Sequence, residues 1–413
     1  MKRRFWFGFL VSIMTLGGCA SPKEMPPLKH QDNRPPTVRV AIKNSTHEAK
    51  VGSETNFALA DSEGVIDVFG GGVYLRVTPG EMGMLVQDPS GAIVARGEGP
   101  YWVRPTYGGS PVLVGKDAYT GHLVLRRGTE RGIHVINVVD LETYLRSVVP
   151  LEIGHAGKYL NAAKAQSIAA RTYAVRNLNK YAAEGYDLQS GVMDQVYGPI
   201  SKRHPDADRA VMETRGQVLT YNSQPIRAKY SSTCGGKTAG SEEGFNYSKI
   251  PYLRPQNCKI DGRVNCRTSR YFRWDVSWSE TELKDILSRT IPKLLSKPWL
   301  GERITQIKVI ERGESGRAID LQITTDKSEY VLSRFQIRQA LERPEGGLLR
   351  SNAFELNAKK NNGRVTELTI IGRGWGHGVG MCQWGAMQLS TEGYDFRSIL
   401  DLYYPKARLE QLY

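Results

Sequence analysis

The sequence predicts an α+β protein in which a β-rich core carries a long helix beside a cleft, with a second strand-rich region inserted at about residues 275–370. The first observation is a series of short β-prone runs separated by Gly, Pro, Asp or Ser, which fills residues 37–139. The second is an alanine-rich helical pattern over about residues 158–183. A β-rich layer therefore precedes the helical region.

The N-terminus predicts a lipoprotein signal peptide over residues 1–18. Residues 2–4 are basic, and residues 5–16 form an apolar run that is too short for an ordinary membrane-spanning helix. The stretch Leu-Gly-Gly-Cys at residues 16–19 resembles a bacterial lipobox, in which Cys19 is acylated and begins the mature chain. An ordinary signal peptide cut nearby and an uncleaved anchor are the alternatives.

The residues after Cys19 predict where such an anchor would hold the protein. Ala20, rather than an aspartate, follows the cysteine. By its resemblance to lipoproteins of Gram-negative bacteria, this favours the outer membrane and a protein that faces the periplasm. Residues 19–36 are polar and proline-rich, which is typical of a flexible tether. No other segment has 18 consecutive apolar residues, so we expect the rest of the chain to be soluble and extracytoplasmic.

The charge balance indicates the chemistry of the partner. The formal net charge is +14, which favours an anionic partner. No nucleic-acid-binding module is recognisable, and an exported lipoprotein meets little nucleic acid, so we expect no nucleic acid partner. Anionic polymers of the cell envelope are the alternative.

Four cysteines remain in the chain when Cys19 is set aside: Cys234, Cys258, Cys266 and Cys382. An even number in an oxidising compartment predicts disulfides, with three possible pairings. Cys258–Cys266 closes the smallest loop, which leaves Cys234 to pair with Cys382. The competing interpretation is a zinc site with four thiolate ligands, although the spacing contains no CxxC pattern. We therefore expect no metal and no cofactor.

The helical region begins with a short helix whose ends the sequence marks. Asp140 can cap the run over residues 141–149, Pro150 is expected to stop it, and Glu152 follows the break. On the longer helix Lys164 and Arg171 are seven residues apart, about two turns, so they point the same way. A polar stripe of this kind can line a cleft, and a solvated helix face is the alternative.

The C-terminal stretch GRGWGHGVGMCQWGA, residues 372–386, contains six glycines and two tryptophans. Glycine removes the side chains that hold other backbone, or a ligand, at a distance, and it permits positive φ. A glycine-rich structural turn with two packing tryptophans is the alternative to a functional loop.

A series of motifs resembles, in order, the SpoIID/LytB family of cell-wall proteins. The motifs are DLETYLRSVVPLEIG, AAKAQSIAARTYAV, DQVYG, YSSTCGGKTAGSEEGF, PYL, SGRAIDLQI, FQIRQAL, GRGWGHGVGMCQWGA and LDLYYP. The resemblance covers residues 115–413, which we expect to form the peptidoglycan-binding catalytic region. Residues 37–114 form a β-rich N-terminal region without an assignable motif.

The resemblance implies peptidoglycan glycan strands as the substrate. Sporulation protein D of this family is a lytic transglycosylase that cuts between N-acetylmuramic acid and N-acetylglucosamine and leaves 1,6-anhydro ends. It prefers strands whose stem peptides an amidase has removed. Its catalytic glutamate corresponds to Glu152. The alternatives are a non-catalytic glycan-binding enhancer of an amidase, as in related family members, and a purely structural envelope lipoprotein.

The other matched positions become candidate glycan contacts by the same resemblance. They are Lys164, Gln166, Arg171, Asp194, Gln195, Tyr197, Ser232, Thr233, His377 and Gln383. Two departures from the family pattern matter. Ser231 stands where family members often carry a histidine, which lowers the expectation of a metal. Cys234 and Cys382 replace family serines, which fits a covalent link between their two loops.

Overall fold

The computed structural model describes residues 33–128, 130–154, 156–260 and 262–413. The signal peptide, Cys19 and most of the expected tether lie outside the described residues. The architecture is α+β with several sheets, which confirms the fold class. Within the described residues we find no helix with the length and apolar character needed to cross a membrane.

The strands of the first half of the chain are β1 (Thr37–Thr46), β2 (Ala49–Ser53), β3 (Phe57–Ala60), β4 (Val65–Phe69), β5 (Tyr74–Gly80), β6 (Gly83–Gln87), β7 (Ile93–Gly97), β8 (Tyr101–Pro105), β9 (Val112–Val114), β10 (Asp117–Tyr119), β11 (His122–Arg127), β12 (Ile133–Asp140) and β13 (Leu188–Gln189). Those of the second half are β14 (Gln217–Tyr221), β15 (Gln224–Pro225), β16 (Tyr230–Ser231), β17 (Lys259–Ile260), β18 (Arg263–Val264), β19 (Trp274–Ser279), β20 (Ile304–Arg312), β21 (Ala318–Thr325), β22 (Glu329–Ser333), β23 (Phe354–Asn361), β24 (Arg364–Gly372), β25 (Met381–Cys382) and β26 (Arg408–Gln411). The α-helices are α1 (Leu141–Ile153), α2 (Leu160–Arg176), α3 (Pro205–Glu213), α4 (Ser241–Gly244), α5 (Glu280–Leu295), α6 (Phe335–Ala340), α7 (Gln383–Thr391) and α8 (Phe396–Tyr403).

Two sheets form the N-terminal β layer. The first has the order β13-β1-β12-β11-β8-β3-β4, and the second has the order β10-β9-β2-β5-β6-β7. Buried side chains of both sheets, such as Val103 and Leu75, belong to one hydrophobic core, since alternate residues of each strand point to the same face. The expected boundary between residues 114 and 115 does not divide this layer, because β9 and β10 pair across it.

Helices α1 and α2 pack on this core and position the candidate site. Asp140 caps α1 by accepting a hydrogen bond from Thr143 N–H at 3.0 Å, as the sequence predicts. The expectation that Pro150 stops the helix is wrong: α1 continues to Ile153. A proline so close to the helix end removes a single intrahelical donor, and the helix ends at Gly154, whose N–H bonds back to the Pro150 carbonyl.

A second hydrophobic core lies within residues 274–370, where the sequence analysis places the inserted segment. Two three-stranded sheets, β19-β24-β23 and β20-β21-β22, pack with α5 and α6 around it. A capping box fixes the start of α5: the Ser279 side chain accepts from Glu282 N–H, and the Glu282 carboxylate accepts from Ser279 N–H at 2.9 Å.

Candidate functional site

Glu152 lies in the last turn of α1, and its carboxyl group contacts two distant segments. Oε1 accepts a hydrogen bond from the backbone N–H of Val196 at 2.8 Å. Oε2 lies 3.3 Å from Gln383 Nε2, which lies at the same distance from Gln166 Oε1. The carboxyl group is therefore held by one peptide group, one primary amide and the Tyr230 hydroxyl, and no cation pairs with it among the described residues.

The environment of Glu152 favours its protonated form. Burial raises the pKa of the carboxyl group, while hydrogen bonds from Val196, Gln383 and Tyr230 act in the opposite direction without cancelling the effect of burial. A carboxyl group with a raised pKa can hold a proton in the resting state and give it away. The surrounding donors can then stabilise the resulting carboxylate.

The Gly-rich segment, residues 372–386, reaches Glu152 because its backbone lies directly against that of residues 229–235. Strands β16 and β25 pair in parallel, with Ser231 opposite Cys382. Gly374 and Gly380 both have positive φ, and a Cβ at either position would overlap backbone atoms of this neighbouring segment. Glycine is thus needed here for close approach within the protein, and this approach places Gln383 beside Glu152.

The Gln195 side chain is buried and forms the support beneath Glu152. Its Nε2 donates to the Tyr230 hydroxyl at 2.8 Å, and its Oε1 accepts from the Tyr144 hydroxyl at 3.0 Å. Because Gln195 directly precedes Val196, this network fixes the peptide group that binds Glu152. The Val196 N–H and the Tyr230 hydroxyl are site groups that sequence reasoning missed, since a backbone donor leaves no mark on residue type.

The neighbours of Gln195 are occupied within the protein. The Asp194 carboxylate is buried and accepts from Tyr173 Oη at 2.7 Å and Lys180 Nζ at 2.5 Å. The Tyr197 hydroxyl donates to Asn137 Oδ1 at 2.6 Å. The structure thus uses Asp194, Gln195 and Tyr197 as internal supports, and their direct contact with a ligand stays a prediction.

Lys164 and Arg171 point the same way, as their spacing predicts, but they face α3 rather than the Glu152 side of α2. Arg171 is fully buried and binds the Glu142 carboxylate with two hydrogen bonds of 2.8 Å. Lys164 Nζ pairs with Glu213 at 2.5 Å. Arg171 is neutralised inside the protein, whereas Lys164 pairs with Glu213 at the surface. Both cations are thus paired in this structure, and their contact with glycan stays a prediction.

Of the remaining residues expected to contact glycan, some are hydrogen-bonded within the protein and others lie beside Glu152. Thr233 is buried and its hydroxyl lies 2.7 Å from that of Ser269, while the neighbouring Ser232 is half-buried and its carbonyl accepts from the Trp384 N–H. His377 Nδ1 accepts from Val379 N–H at 3.0 Å, and burial lowers the pKa of His377 to about 3, so the imidazole is neutral. Of the expected contacts, Gln166 and Gln383 are the two that the structure brings to Glu152, and the Gln166 Nε2 atom is buried without a hydrogen-bond partner among the described residues.

An exposed aromatic group lies on the Gly-rich segment. Trp375 is 40% exposed and packs edge-to-face on Tyr271, with ring centroids 4.2 Å apart. Its backbone exchanges two hydrogen bonds with Thr233, so the indole is held on a fixed support. Exposed indole rings on rigid backbone are suited to stacking against the apolar faces of a ligand.

The expected disulfides Cys258–Cys266 and Cys234–Cys382 are absent from the structure, in which all four cysteines are free and buried. The four sulfur atoms instead converge, and all lie within 4.8 Å of one another. The four sulfurs do not separate into the two expected pairs, because Cys234 lies beside Cys266 as well as Cys382. The arrangement offers four ligands to a single metal ion.

The fold and site define an α+β protein in which the buried Glu152 carboxyl group accepts hydrogen bonds from the Val196 N–H and the Gln383 side-chain amide, which belong to two other segments of the chain. The family model described as stage II sporulation protein matches residues 129–221, and one described as a domain of unknown function matches residues 242–380. The chain belongs to the SpoIID family.

Three relatives illustrate the similarity. An uncharacterized protein of Brachyspira hyodysenteriae is 30% identical over 65% of this chain and 66% of its own length. The amidase enhancer of Bacillus subtilis is 27% identical over 64% of this chain, which spans only 40% of that relative. Stage II sporulation protein D of Bacillus amyloliquefaciens is 29% identical over 80% of this chain and 91% of its own length.

Proposed function

We propose that this protein is a lytic transglycosylase that cleaves the bond between N-acetylmuramic acid and N-acetylglucosamine in peptidoglycan strands and leaves 1,6-anhydro ends. The observation that carries the proposal is the Glu152 carboxyl group, whose pKa burial raises and whose oxygens are held by donors from two other segments. The relatives named stage II sporulation protein D and amidase enhancer support a role at the cell wall.

In this mechanism Glu152 acts twice. The protonated carboxyl group gives its proton to the glycosidic oxygen as the bond to the muramic acid C1 breaks. The resulting carboxylate, stabilised by Val196 N–H and the Gln383 amide, takes the proton of the C6 hydroxyl as that oxygen attacks C1. The proton returns to Glu152 and no water is consumed, so one carboxyl group completes the reaction.

The structure favours such a one-carboxyl mechanism over hydrolysis. Hydrolytic glycosidases usually need a second carboxylate as base or nucleophile. The nearby Asp194 carboxylate is buried and already accepts hydrogen bonds from Tyr173, Lys180 and the Gln189 N–H. It is therefore not free to activate water, and in this proposal the muramic acid C6 hydroxyl acts as the nucleophile in its place.

Glycan binding in this proposal rests on amides and an aromatic ring more than on cations. Gln166 and Gln383 place primary amides beside Glu152, where sugar hydroxyl and acetamido groups can bond to them. Trp375 offers an exposed ring on the same Gly-rich segment. The net charge of +14 attracts the anionic polymer over longer distances without requiring a specific ion pair.

Digestion of peptide-free glycan strands tests the proposal. Glu152→Gln keeps the side-chain volume but cannot donate and retake a proton, so we expect the rate of anhydro-end formation to fall by about 1,000- to 10,000-fold. Glu392→Gln, the same chemical change at an exposed position at the end of α7, serves as the matched control and should keep full activity. Near-normal activity of the Glu152 variant would overturn the assignment.

A second candidate function is glycan binding that enhances an amidase without turnover, and the relative named amidase enhancer favours it. The two functions differ in their products. If the wild-type protein forms no anhydro ends, yet binds glycan and accelerates peptide release by an added amidase, the enhancer function replaces the catalytic one.

We further propose that acylated Cys19 attaches the protein to a membrane of the cell envelope, on the periplasmic side, with the outer membrane favoured. The sequence of residues 16–20 supports this proposal. Two or more acyl chains give stable attachment, whereas a single chain binds reversibly. Anchoring would restrict the protein to glycan within reach of its tether.

A further inference from the structure

The four buried cysteines have the geometry of a metal site. A tetrahedral zinc ion with Zn–S bonds of about 2.3 Å separates its sulfur ligands by about 3.8 Å. Cys234 Sγ and Cys266 Sγ are 3.7 Å apart, and all four sulfurs lie within 4.8 Å of one another. The cluster therefore has nearly the size of a four-thiolate zinc centre.

Hydrogen bonds around the sulfurs suit thiolates. The backbone N–H of Cys234 donates to Cys382 Sγ at 3.2 Å, and the N–H of Gly235 donates to Cys266 Sγ. The Tyr403 hydroxyl lies 3.1 Å from Cys258 Sγ and can donate to it. Such donors commonly orient and stabilise metal-bound ligands, because each places a partial positive charge beside a sulfur.

A nearby buried cation supplies further support. Arg317 is 2% exposed and makes no ion pair within 4.0 Å among the described residues. It donates to the carbonyl of Cys234 at 2.7 Å, and its Nε has no hydrogen-bond partner. A buried guanidinium needs compensating negative charge. A zinc ion with four thiolates carries a net charge of −2, so it would supply that charge next to Arg317.

We infer that Cys234, Cys258, Cys266 and Cys382 form a structural zinc site. Binding replaces four thiol protons by one Zn²⁺, so that Zn²⁺ and four thiols give a dianionic centre and four released protons. All four protein ligands are supplied, which leaves no open position for water and marks the site as structural rather than catalytic. Soft thiolate ligands favour zinc over magnesium or calcium.

The zinc site would join segments that are far apart in the sequence. It links residues 234–266 to the Gly-rich segment at Cys382, and the next residue, Gln383, contacts Glu152. Gly385 is also required, because a Cβ there would overlap the Tyr403 hydroxyl and Cys258 Sγ. Zinc would thus hold the Gln383 amide in position. The inference does not depend on the proposed reaction, since a glycan-binding enhancer would need the same support.

Metal content of the full chain tests the inference. For this experiment the full chain is produced in cells that export it and is extracted from membranes with detergent. Its metal content is then measured by elemental mass spectrometry without added chelator. We expect one zinc per chain, and four thiols that react after denaturation with a chelator in the absence of reductant. Zinc-free protein with no reactive thiols would show two disulfides and overturn the inference, as would iron in place of zinc.

A cobalt-loaded sample and two variants make the test specific. Co²⁺ in the wild-type protein should give the visible absorption of a tetrahedral cobalt–thiolate centre. Cys266→Ser should lose at least half of the bound zinc, whereas Cys19→Ser, which changes a cysteine outside the cluster, should keep it. Because Cys266→Ser can fail to fold, the wild-type zinc content and cobalt spectrum are decisive on their own. A zinc content unchanged in Cys266→Ser, or a cobalt spectrum without thiolate bands, would contradict the site.

Discussion

The buried ion pair between Arg171 and Glu142 gives a prediction that separates a structural from a glycan-binding role. Arg171 is fully buried and also donates to the carbonyls of Gln217 and Val211. Arg171→Met removes these bonds and leaves the Glu142 carboxylate buried without its cation, although the Tyr413 hydroxyl and the Gly216 N–H still contact it. Loss of one partner of a buried pair costs about 3–5 kcal/mol.

Urea unfolding measures this cost. With an m-value of about 3 kcal/mol per M, a loss of about 4 kcal/mol lowers the unfolding midpoint by roughly 1.3 M. Arg209→Met is the matched control, because Arg209 pairs with Glu213 on the surface and such pairs contribute about 0–1 kcal/mol. Adding Glu142→Gln to Arg171→Met should recover part of the loss, since it removes the unpaired charge. If Arg171→Met matches the control in stability but weakens glycan binding, the structural assignment is wrong.

Four further predictions concern Glu152, Trp375 and Cys19. The pKa of the Glu152 carboxyl group is raised in the folded state, so ionisation of this group destabilises the fold as pH rises above about 4.3, the pKa of an unperturbed glutamate. Glu152→Gln removes this ionisation. The variant should therefore unfold at a higher temperature than the wild type at pH 8 and at the same temperature at pH 3. Wild-type activity should in turn fall as pH rises past the pKa of Glu152, and an activity that rises with pH would contradict the acid role. Trp375→Ala should weaken retention on immobilised peptide-free glycan while the exposed-aromatic control Tyr107→Ala does not; equal retention of both would exclude stacking at Trp375. Cys19→Ser should move the protein into the detergent-free soluble fraction, and its continued sedimentation with membranes after an alkaline wash would count against the lipid anchor.

Local features of the fold could be predicted from the sequence because their causes are local. The β-rich layer follows from short β-prone runs between turn residues, and the start of α1 follows from the capping side chain of Asp140. Pro150 shows the limit of local rules. A proline is a reliable helix breaker in an interior, but here it lies near the end of α1, where the helix tolerates it.

The site was less predictable, because its contacts join residues that are far apart in the chain. The family motifs indicated Glu152, Gln166 and Gln383, and the structure brings these three together. The same motifs marked Arg171, whose residue type and helical position suit a cleft as well as a buried ion pair. Its location was decided by Glu142, 29 residues earlier in the chain, and the spacing on its own helix carries no information about that partner.

The cysteines illustrate the same limit. Loop length favoured Cys258–Cys266, and the replaced family serines favoured Cys234–Cys382, but both arguments treat the cysteines as pairs. The folded chain brings all four sulfurs together through the pairing of β16 with β25 and the hydrogen bond from the Cys258 N–H to the Gly236 carbonyl. A convergence of four residues from three segments cannot be derived from pairwise spacing.

Digestion of glycan in isotopically labelled water tests the proposed function most directly, because the chemical identity of the new chain ends distinguishes transglycosylation from hydrolysis. Peptide-free glycan is digested with the wild-type protein in H₂¹⁸O, and the products are analysed by mass spectrometry. Attack by the muramic acid C6 hydroxyl on C1 predicts 1,6-anhydro ends that lack the elements of water and contain no ¹⁸O. Reducing ends that carry ¹⁸O would show hydrolysis, and the absence of any new ends would show that Glu152 is not a catalyst.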